Sequence, residues 1–435
     1  MEGMGAGARL AFANVRTSCK KRPMETGFSQ RENGKRRSSA VPWAVGAWLG
    51  QPAPPMGLPW GLPAVHPALE AALAPLRELM PGSSFSFMPP PQAEPHVAKL
   101  QQAIKDGVLA QINRFVEGVK AYRSHPANRN APPAPIVWQK GTTKLRDYGA
   151  SSKKGAAVLV VPSLINRYDI LDLDEGHSLL RFMDARGLRP FVVDWDAPGE
   201  EEKKFSLTDY AVQRLFPILD YVQSVAPRPH ILGYCMGGNL ALALALLRRG
   251  DVRSLALMAT PWNNALDPAL RELVGNMEPH LSQADDLPAD ILQMLFASFQ
   301  PMQVAQKFTR FASLDPDGAE ARRFVLTEDW LNDGVPLAAE VARECLIGWY
   351  VKNVTGKIQW RVADTLVDPR LLDMPAYVLA AGKDHIVPPE SARPLARLMR
   401  GAVLHEPAMG HTGLMASRSA PREVWEPLVR FLTGQ

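Results

Sequence analysis

The chain has 435 residues, of which 46% are hydrophobic and 21% are charged, a composition that indicates a globular protein with one large domain and an appendage. Its three cysteines, Cys19, Cys235 and Cys345, are far apart, which argues against a disulfide framework or a closely spaced metal cluster and favours a reducing compartment. The net charge of +5 suits a phosphate-bearing substrate or an anionic surface, and we predict no nucleic-acid partner.

We predict no transmembrane helix, because the longest uncharged apolar run, 231–247, is short and interrupted by glycines. The first residues lack the apolar core of a secretory signal, although their excess of Arg and Lys leaves an organelle leader open. A cytoplasmic protein is the expectation. Translation from Met1 and from Met24 are both compatible with the sequence.

The first part of the chain differs in composition from the rest. Residues 1–92 are rich in proline, which cannot donate to a helix or sheet ladder, and are expected to be largely irregular, except for a short amphipathic helix at 66–80. Residues 93–135 form an amphipathic helical segment and a linker, with an apolar stripe along 96–122. This stripe packs against its own catalytic domain in one interpretation, and contacts a second copy or a hydrophobic particle in the other.

Residues 136–435 alternate short apolar runs with helical stretches, the pattern of a mostly parallel α/β sheet covered on both faces. The sequence predicts central strands at 156–162, 190–195, 230–234, 254–260 and 375–381, and helices near 173–186, 206–225, 236–249 and 390–400. The stretch 262–373 is too long for a simple crossover. We expect it to be a helical cap inserted over the carboxyl ends of the strands.

The stretch ILGYCMGGNLAL places Cys235 at the turn between an apolar strand and an alanine-rich helix. This is the nucleophile-elbow arrangement, in which Gly233, Gly237 and Gly238 allow strand and helix to approach closely. The helix amino terminus favours a thiolate at Cys235, and the Met236 amide is expected to form half of an oxyanion hole.

An elbow nucleophile needs an acid and a histidine that follow it in this order along the chain. Asp384 comes directly after the strand PAYVLAAG, and His411 lies 27 positions later in the loop AMGHTGLM, so these two are the candidates. The second oxyanion donor is expected in the loop VPSLINR, at the amide of Leu164. His385, next to the acid, is a further candidate that is expected to line the pocket rather than to orient the imidazole.

Other titratable residues compete for these roles. Three aspartates lie before the strand PAYVLAAG and are expected in surface or turn positions: Asp364, Asp368 and Asp373. Three histidines are expected to be structural: His177, His230 and His405. The sequence therefore predicts an α/β-hydrolase fold with an inserted helical cap and an amino-terminal helical, proline-rich appendage. No metal or redox cofactor is implied.

Five blocks resemble the polyhydroxyalkanoate synthase family in their order: VPSLINRYDILDL, SLLRFMDARGLRPFVVDWDAPG, GYCMGG, GKDHIVPP and GHTG. The resemblance covers the chain from about Trp138 to the end. It implies that Cys235 is the acylated nucleophile, His411 its base and Asp384 the acid. It also implies that (R)-3-hydroxyacyl-CoA loads the cysteine, with CoA as part of the substrate, and that the hydroxyl end of a growing polyester attacks the acyl-enzyme.

The family further suggests a homodimer or an accessory synthase subunit, and a polymer granule surface as the site of action. The chain departs from the family at Pro389, where a tryptophan is usual, in the loop DWDAPG, and in a short tail after His411. A thiol-dependent hydrolase, such as a thioesterase, depolymerase or dienelactone-type enzyme, therefore stays open as an alternative. The third hypothesis is a non-catalytic protein that binds a granule or a partner.

Overall fold

The computed structural model describes residues 95–264, 268–299 and 301–434. The proline-rich residues 1–92 and the helix expected at 66–80 lie outside the described residues.

The centre of the molecule is an eight-stranded sheet in the order β1-β2-β4-β3-β5-β6-β7-β8. The hairpin β1-β2 is antiparallel and pairs antiparallel with β4, whereas all later pairings are parallel. The strands are β1 (Ile136–Lys140), β2 (Thr143–Asp147), β3 (Ala156–Val161), β4 (Leu188–Asp194), β5 (His230–Tyr234), β6 (Ser254–Met258), β7 (Ala376–Leu379) and β8 (Val403–His405).

The apolar runs of the sequence form the middle of this sheet. Every residue of β5, β6 and β7 is buried, because helices cover both faces. The five predicted strands are confirmed, with ends that differ by at most two residues. The hairpin β1-β2 was not predicted, since its strands are half exposed and carry polar residues.

Helices flank the sheet and build the cap. They are α1 (Pro95–Ser124), α2 (Leu179–Asp184), α3 (Phe216–Val225), α4 (Met236–Leu247), α5 (Pro268–Gly275), α6 (Glu278–Leu281), α7 (Ala289–Phe299), α8 (Pro301–Phe311), α9 (Ala319–Asn332), α10 (Ala339–Arg343), α11 (Pro389–Leu398), α12 (Gly413–Ala416) and α13 (Glu426–Thr433). Six of them, α5 to α10, lie between β6 and β7 along the chain.

Shorter elements complete the described chain. A helical turn Leu207–Asp209 precedes α3, and π-helical turns run at Tyr210–Leu215, Glu344–Val351 and Pro421–Trp425. Small two-stranded antiparallel sheets pair Asp172–Asp174 with His177–Ser178, Asp286–Leu287 with Leu337–Ala338, and Arg361–Val362 with Thr365–Leu366. The 3-10 turns are Tyr168–Leu171, Glu202–Lys204, Arg249–Asp251 and Pro369–Leu371.

Two apolar clusters hold the sheet between its helical layers. One contains α3, α4 and most of the cap side chains, and the other contains α2, α13 and the opposite faces of the strands. Cys235 packs against both clusters. The nucleophile candidate therefore lies where the two cores meet, at the carboxyl end of β5, in a position fixed by packing from both sides.

The carboxyl-terminal half of α1 packs on the cap. Ile112, Phe115, Val119 and Tyr122 are buried against Phe308 and its neighbours from α8 and α9. A Cβ built at Gly118 would lie 1.9 Å from the Phe308 carbonyl oxygen, so the two helix backbones touch there. Of the two interpretations of the apolar stripe, packing against its own catalytic domain applies to this half of the helix.

Among the helices in the described part of the chain, none is long and apolar enough to cross a membrane.

Candidate active site

Cys235 occupies the turn between β5 and α4 with a backbone that few residues other than glycine adopt. Its φ is 55° and its ψ is −131°. A non-glycine residue in this region is strained by its Cβ, and such strain persists only where the surroundings enforce it. The amide of Cys235 donates to the Met258 carbonyl oxygen at 2.9 Å, which ties the strained residue to β6.

The elbow glycines are required by close approach of backbones. A Cβ at Gly233 would lie 2.4 Å from the Gly238 Cα, and one at Gly237 would lie 2.2 Å from the Val161 carbonyl oxygen. At Gly238 it would lie 1.9 Å from the Thr260 Oγ1. Any side chain at these positions would push α4 away from the strands and displace Cys235 with it.

Asp384 and His411 are brought together by the loops that follow β7 and β8. The Nδ1 of His411 donates to the Oδ2 of Asp384 at 2.7 Å, since a carboxylate can only accept. The other oxygen, Oδ1, accepts the amides of Ile386 and Val387, both at 2.8 Å. Asp384 is 2% exposed and His411 is 7% exposed. The carboxylate is thus fully oriented before any substrate binds.

The imidazole of His411 is held from a second side by Tyr234, the last residue of β5. The two rings lie 5.2 Å apart between centroids and 31° from coplanar, and the Tyr234 hydroxyl donates to the His411 carbonyl oxygen at 3.2 Å. Because Nδ1 is committed to Asp384, the Nε2 atom is the one left to exchange a proton with Cys235.

The electrostatics favour a charged imidazole. Burial alone lowers the pKa of His411, but the charges of Asp384 and Cys235, together with hydrogen bonds to both, outweigh it and hold the pKa well above its usual value. A charged imidazole at His411 places a positive charge beside the Cys235 sulfur. Thiolate, rather than thiol, is the form of cysteine that attacks a carbonyl carbon.

Two backbone amides near Cys235 are free to donate. Within the described residues, neither the Met236 nor the Leu164 amide has a hydrogen-bond acceptor, whereas the neighbouring Ile165 amide donates to the Ser163 Oγ at 3.2 Å. Met236 is also the first residue of α4, where amides are free and the helix dipole is positive. The amides expected to form the oxyanion hole are therefore available.

The loop that carries Leu164 is tied to the cap. The Ile165 carbonyl oxygen accepts the Val335 amide at 3.0 Å, and the Arg167 carbonyl oxygen accepts the Trp330 Nε1 at 2.6 Å. The Arg167 guanidinium also pairs with Asp196 at 2.8 Å. The INR segment of the sequence therefore joins the end of α9 to the sheet and fixes the neighbourhood of the Leu164 amide.

An apolar cavity opens beside Cys235 between the sheet and the cap. Its lining comes from the elbow, from α5 and α7, and from the π-helical turn Glu344–Val351: Ile165, Cys235, Met236, Pro261, Val274, Leu292, Leu295, Phe296, Leu337, Cys345, Leu346, Trp349, Tyr350 and Ile386. Such a cavity suits an aliphatic acyl chain. Sequence reasoning missed Cys345 and Tyr350, because i, i+5 spacing shares a face only in a π-helix.

The three competing histidines make structural contacts. His230 Nδ1 pairs with the Ser254 Oγ at 2.7 Å, His177 Nε2 with the Met415 carbonyl oxygen at 2.7 Å, and His405 with the Tyr377 hydroxyl. His385 is exposed, and within the described residues no hydrogen bond joins it to Asp384 or His411. Backbone amides hold the Asp384 carboxylate instead, and a role of His385 beside the site stays a prediction.

In the described parts of the chain, no group of three or more His, Cys, Asp or Glu side chains is placed so that it could hold a metal ion.

Comparison with known protein families matches a model described as the alpha/beta hydrolase fold to residues 157–416. This range begins in β3 and ends in α12. It includes Cys235, Asp384 and His411.

Several curated relatives carry the name poly(3-hydroxyalkanoate) polymerase subunit PhaC. The protein from Haloarcula marismortui is 28% identical over a match that covers 69% of this chain and 67% of its own length. The protein from Haloferax mediterranei is 27% identical over a match that covers 67% of this chain and 62% of its own length. The protein from Allochromatium vinosum is 27% identical over 66% of this chain and 83% of its own. The chain thus spans between 62% and 83% of the length of these three relatives.

Solved structures with a similar backbone include a thermophilic esterase from Thermogutta terrifontis, at 18% identity, a TM-score of 0.43, and 70% and 98% coverage of the two chains. A monoacylglycerol lipase from Paleococcus ferrophilus shows 13% identity, a TM-score of 0.46, and 67% and 98% coverage.

Proposed function

The chain belongs to the α/β-hydrolase fold family, and from this premise we propose that it is an acyltransferase of the polyhydroxyalkanoate synthase type. The homologous polymerases support the reaction class, and the elbow cysteine beside the His411–Asp384 pair supports the chemistry. The substrate class proposed is (R)-3-hydroxyacyl-CoA, and the second substrate is the hydroxyl end of a growing polyester.

The first half-reaction loads the enzyme. His411 Nε2 takes the proton of the Cys235 thiol, and the thiolate attacks the carbonyl carbon of the CoA thioester. The oxyanion that forms accepts hydrogen bonds from the Met236 and Leu164 amides. Collapse of this intermediate breaks the bond to the CoA sulfur, His411 returns the proton to CoA, and the acyl group stays on Cys235 as a thioester.

The second half-reaction transfers the acyl group. His411 takes the proton of an attacking hydroxyl, whose oxygen adds to the carbonyl carbon of the acyl-enzyme. An ester bond forms, the bond to the Cys235 sulfur breaks, and the sulfur recovers a proton from His411. Throughout the cycle Asp384 keeps the imidazole in one tautomer and stabilises its charged form.

A cysteine suits this cycle better than a serine would. Exchange of an acyl group between the thiol of CoA and that of Cys235 conserves the thioester, so the acyl group remains activated for attack by a hydroxyl. An oxygen ester on a serine would be of similar energy to the product ester and would lose this driving force. The proposal therefore accounts for the residue type at the elbow.

The single observation that carries the proposal is the placement of Cys235 at the elbow, against the oriented His411–Asp384 pair and at the edge of an apolar cavity. The test is incubation of the purified protein with 3-hydroxybutyryl-CoA, with thiol release and product chain length measured in parallel. Oligomer or polymer is expected. Free 3-hydroxybutyrate as the sole product would contradict the proposal and support a thiol-dependent hydrolase.

The names of the relatives describe them as polymerase subunits. We include in the proposal that this chain works in the cytoplasm at a polymer granule surface, as a homodimer or with an accessory subunit. Size-exclusion chromatography with light scattering, before and after addition of 3-hydroxybutyryl-CoA, tests this part. A protein that stays monomeric while it makes polymer would contradict it.

A further inference from the structure

The π-helical turn Glu344–Val351 brings four side chains to the wall of the cavity beside Cys235. They are Cys345, Leu346, Trp349 and Tyr350. In a π-turn the hydrogen bonds run from i to i+5, so residues five apart fall on one face, as Cys345 and Tyr350 do here. Single π-turns of this kind are frequent at functional sites.

Tyr350 brings a hydrogen-bond donor to a wall that is otherwise almost entirely apolar. Besides the two thiols, the lining side chains contain two conventional donors, the Tyr350 hydroxyl and the Trp349 indole. The Trp349 Nε1 is fully buried and out of reach. The Tyr350 hydroxyl, in contrast, is not among the fully buried polar atoms and forms no hydrogen bond within the described residues.

The surroundings of Tyr350 keep its phenol protonated. Burial raises the pKa of Tyr350, and the charges of Cys235, Cys345 and Asp384 raise it further. The hydroxyl therefore stays protonated and acts as a donor. A donor without a partner at the wall of an apolar cavity favours a ligand that offers an oxygen there.

The acyl group of the proposed substrate offers one oxygen beyond its carbonyl. The carbonyl oxygen is assigned to the Met236 and Leu164 amides, so the 3-oxygen is the group without a partner. We propose that the Tyr350 hydroxyl donates a hydrogen bond to the 3-oxygen of the acyl group and thereby makes 3-hydroxyacyl thioesters the preferred class over unsubstituted acyl thioesters. This inference rests on the proposed function and assigns a substrate-binding residue to it.

The test compares two thioesters in single-turnover acylation, 3-hydroxybutyryl-CoA and butyryl-CoA, with CoA release as the measurement. Wild-type protein is expected to react faster with the hydroxylated substrate. Tyr350→Phe, which keeps the ring, is expected to lose about tenfold in rate with 3-hydroxybutyryl-CoA and to react with butyryl-CoA as wild type does. Tyr221→Phe, on α3 and away from the cavity, is the matched control and is expected to change neither rate.

The outcomes separate this inference from the proposal it rests on. Equal losses with both substrates, or no loss with either, would overturn the role of Tyr350 while leaving the acyltransferase proposal intact. A wild-type protein that releases CoA from neither thioester would overturn the proposed function, and the inference with it. An unchanged thermal unfolding midpoint for Tyr350→Phe establishes that the fold is preserved.

Discussion

Asp384 holds His411 through a 2.7 Å hydrogen bond while its other carboxylate oxygen accepts two backbone amides. The two backbone amides belong to the loop after β7. This loop, rather than His411, therefore sets the orientation of the carboxylate. The imidazole is consequently oriented with Nδ1 bonded to Asp384, and Nε2 is the atom left to exchange a proton with Cys235.

Asp384→Asn is expected to reduce acylation on the order of 10³-fold or more. If the amide oxygen stays on the two backbone amides, the NH₂ group faces Nδ1 and forces the proton onto Nε2, which then cannot accept the thiol proton. The measurement is kcat/KM for CoA release from 3-hydroxybutyryl-CoA. Asp364→Asn, in an exposed turn, is the control, and a similar loss in both variants would contradict this role.

The same variant tests the raised pKa of His411. A histidine with a raised pKa in the folded protein contributes stability below its unfolded value of about 6.5, and this contribution is lost as pH rises through the folded pKa. The difference in thermal midpoint between wild type and Asp384→Asn is therefore expected to be larger at pH 6 than at pH 10. A difference that grows with pH would contradict the assignment.

Gly237→Ala is expected to destabilise the protein by at least about 1–3 kcal/mol, since the new methyl group would meet the Val161 carbonyl oxygen at 2.2 Å. Backbone atoms cannot move aside as a flexible side chain can. The measurement is the midpoint of urea unfolding. Gly250→Ala serves as the control, because nothing lies within 4 Å of its Cβ position, and equal stability of the two variants would refute the packing argument.

Two glycines of α1 provide a matched pair for the docking of this helix on the cap. Gly118→Ala would place a methyl group 1.9 Å from the Phe308 carbonyl oxygen and is expected to destabilise the protein. Gly107→Ala meets nothing within 4 Å and is expected to stabilise the helix by about 0.5–1 kcal/mol. Thermal unfolding of both variants checks this. A harmless Gly118→Ala would mean that α1 does not pack on α8.

Glu344, beside the cavity, is expected to make stability depend on pH. Burial, followed by repulsion from Glu340, raises its pKa to about 7 although its Oε1 accepts the Leu207 amide at 3.2 Å. A carboxyl with a raised pKa contributes stability below its unfolded value, and this contribution is lost as pH rises through about 7. Above this pH the ionised Glu344 carboxylate is buried, which lowers the free energy of unfolding.

Glu344→Gln removes that cost. We compare the thermal midpoint of Glu344→Gln with that of wild type at two pH values. The midpoint of the variant minus that of wild type is expected to be larger at pH 8.5 than at pH 5. The exposed Glu175→Gln is the control and is expected to shift by the same amount at both values. If Glu344→Gln behaved like this control, the carboxyl would not titrate near neutrality.

The sequence predicted much of this architecture because the decisive signals are local. Cys235, Asp384 and His411 each follow an apolar run, and the carboxyl ends of neighbouring parallel strands meet at one edge of the sheet. The hairpin β1-β2 could not be predicted, because Thr143–Asp147 is polar and lies near the edge of the sheet. Tyr350 escaped it because a π-turn, set by tertiary packing in the cap, decides which residues face the cavity.

His385 lies in different surroundings from its neighbour. Its neighbour Asp384 is buried, yet one residue along the loop the side chain is exposed, because Ile386 and Val387 turn their amides towards the carboxylate. A role of His385 near the site therefore stays a prediction.

The most direct test of the account is intact-protein mass spectrometry after brief incubation with 3-hydroxybutyryl-CoA. Covalent addition of one or more hydroxybutyryl units to Cys235 is expected, located by peptide mapping and absent in Cys235→Ala, with one CoA released for each unit added. Release of CoA by Cys235→Ala at the wild-type rate, or an adduct at another residue, would contradict the claim that Cys235 carries the acyl group.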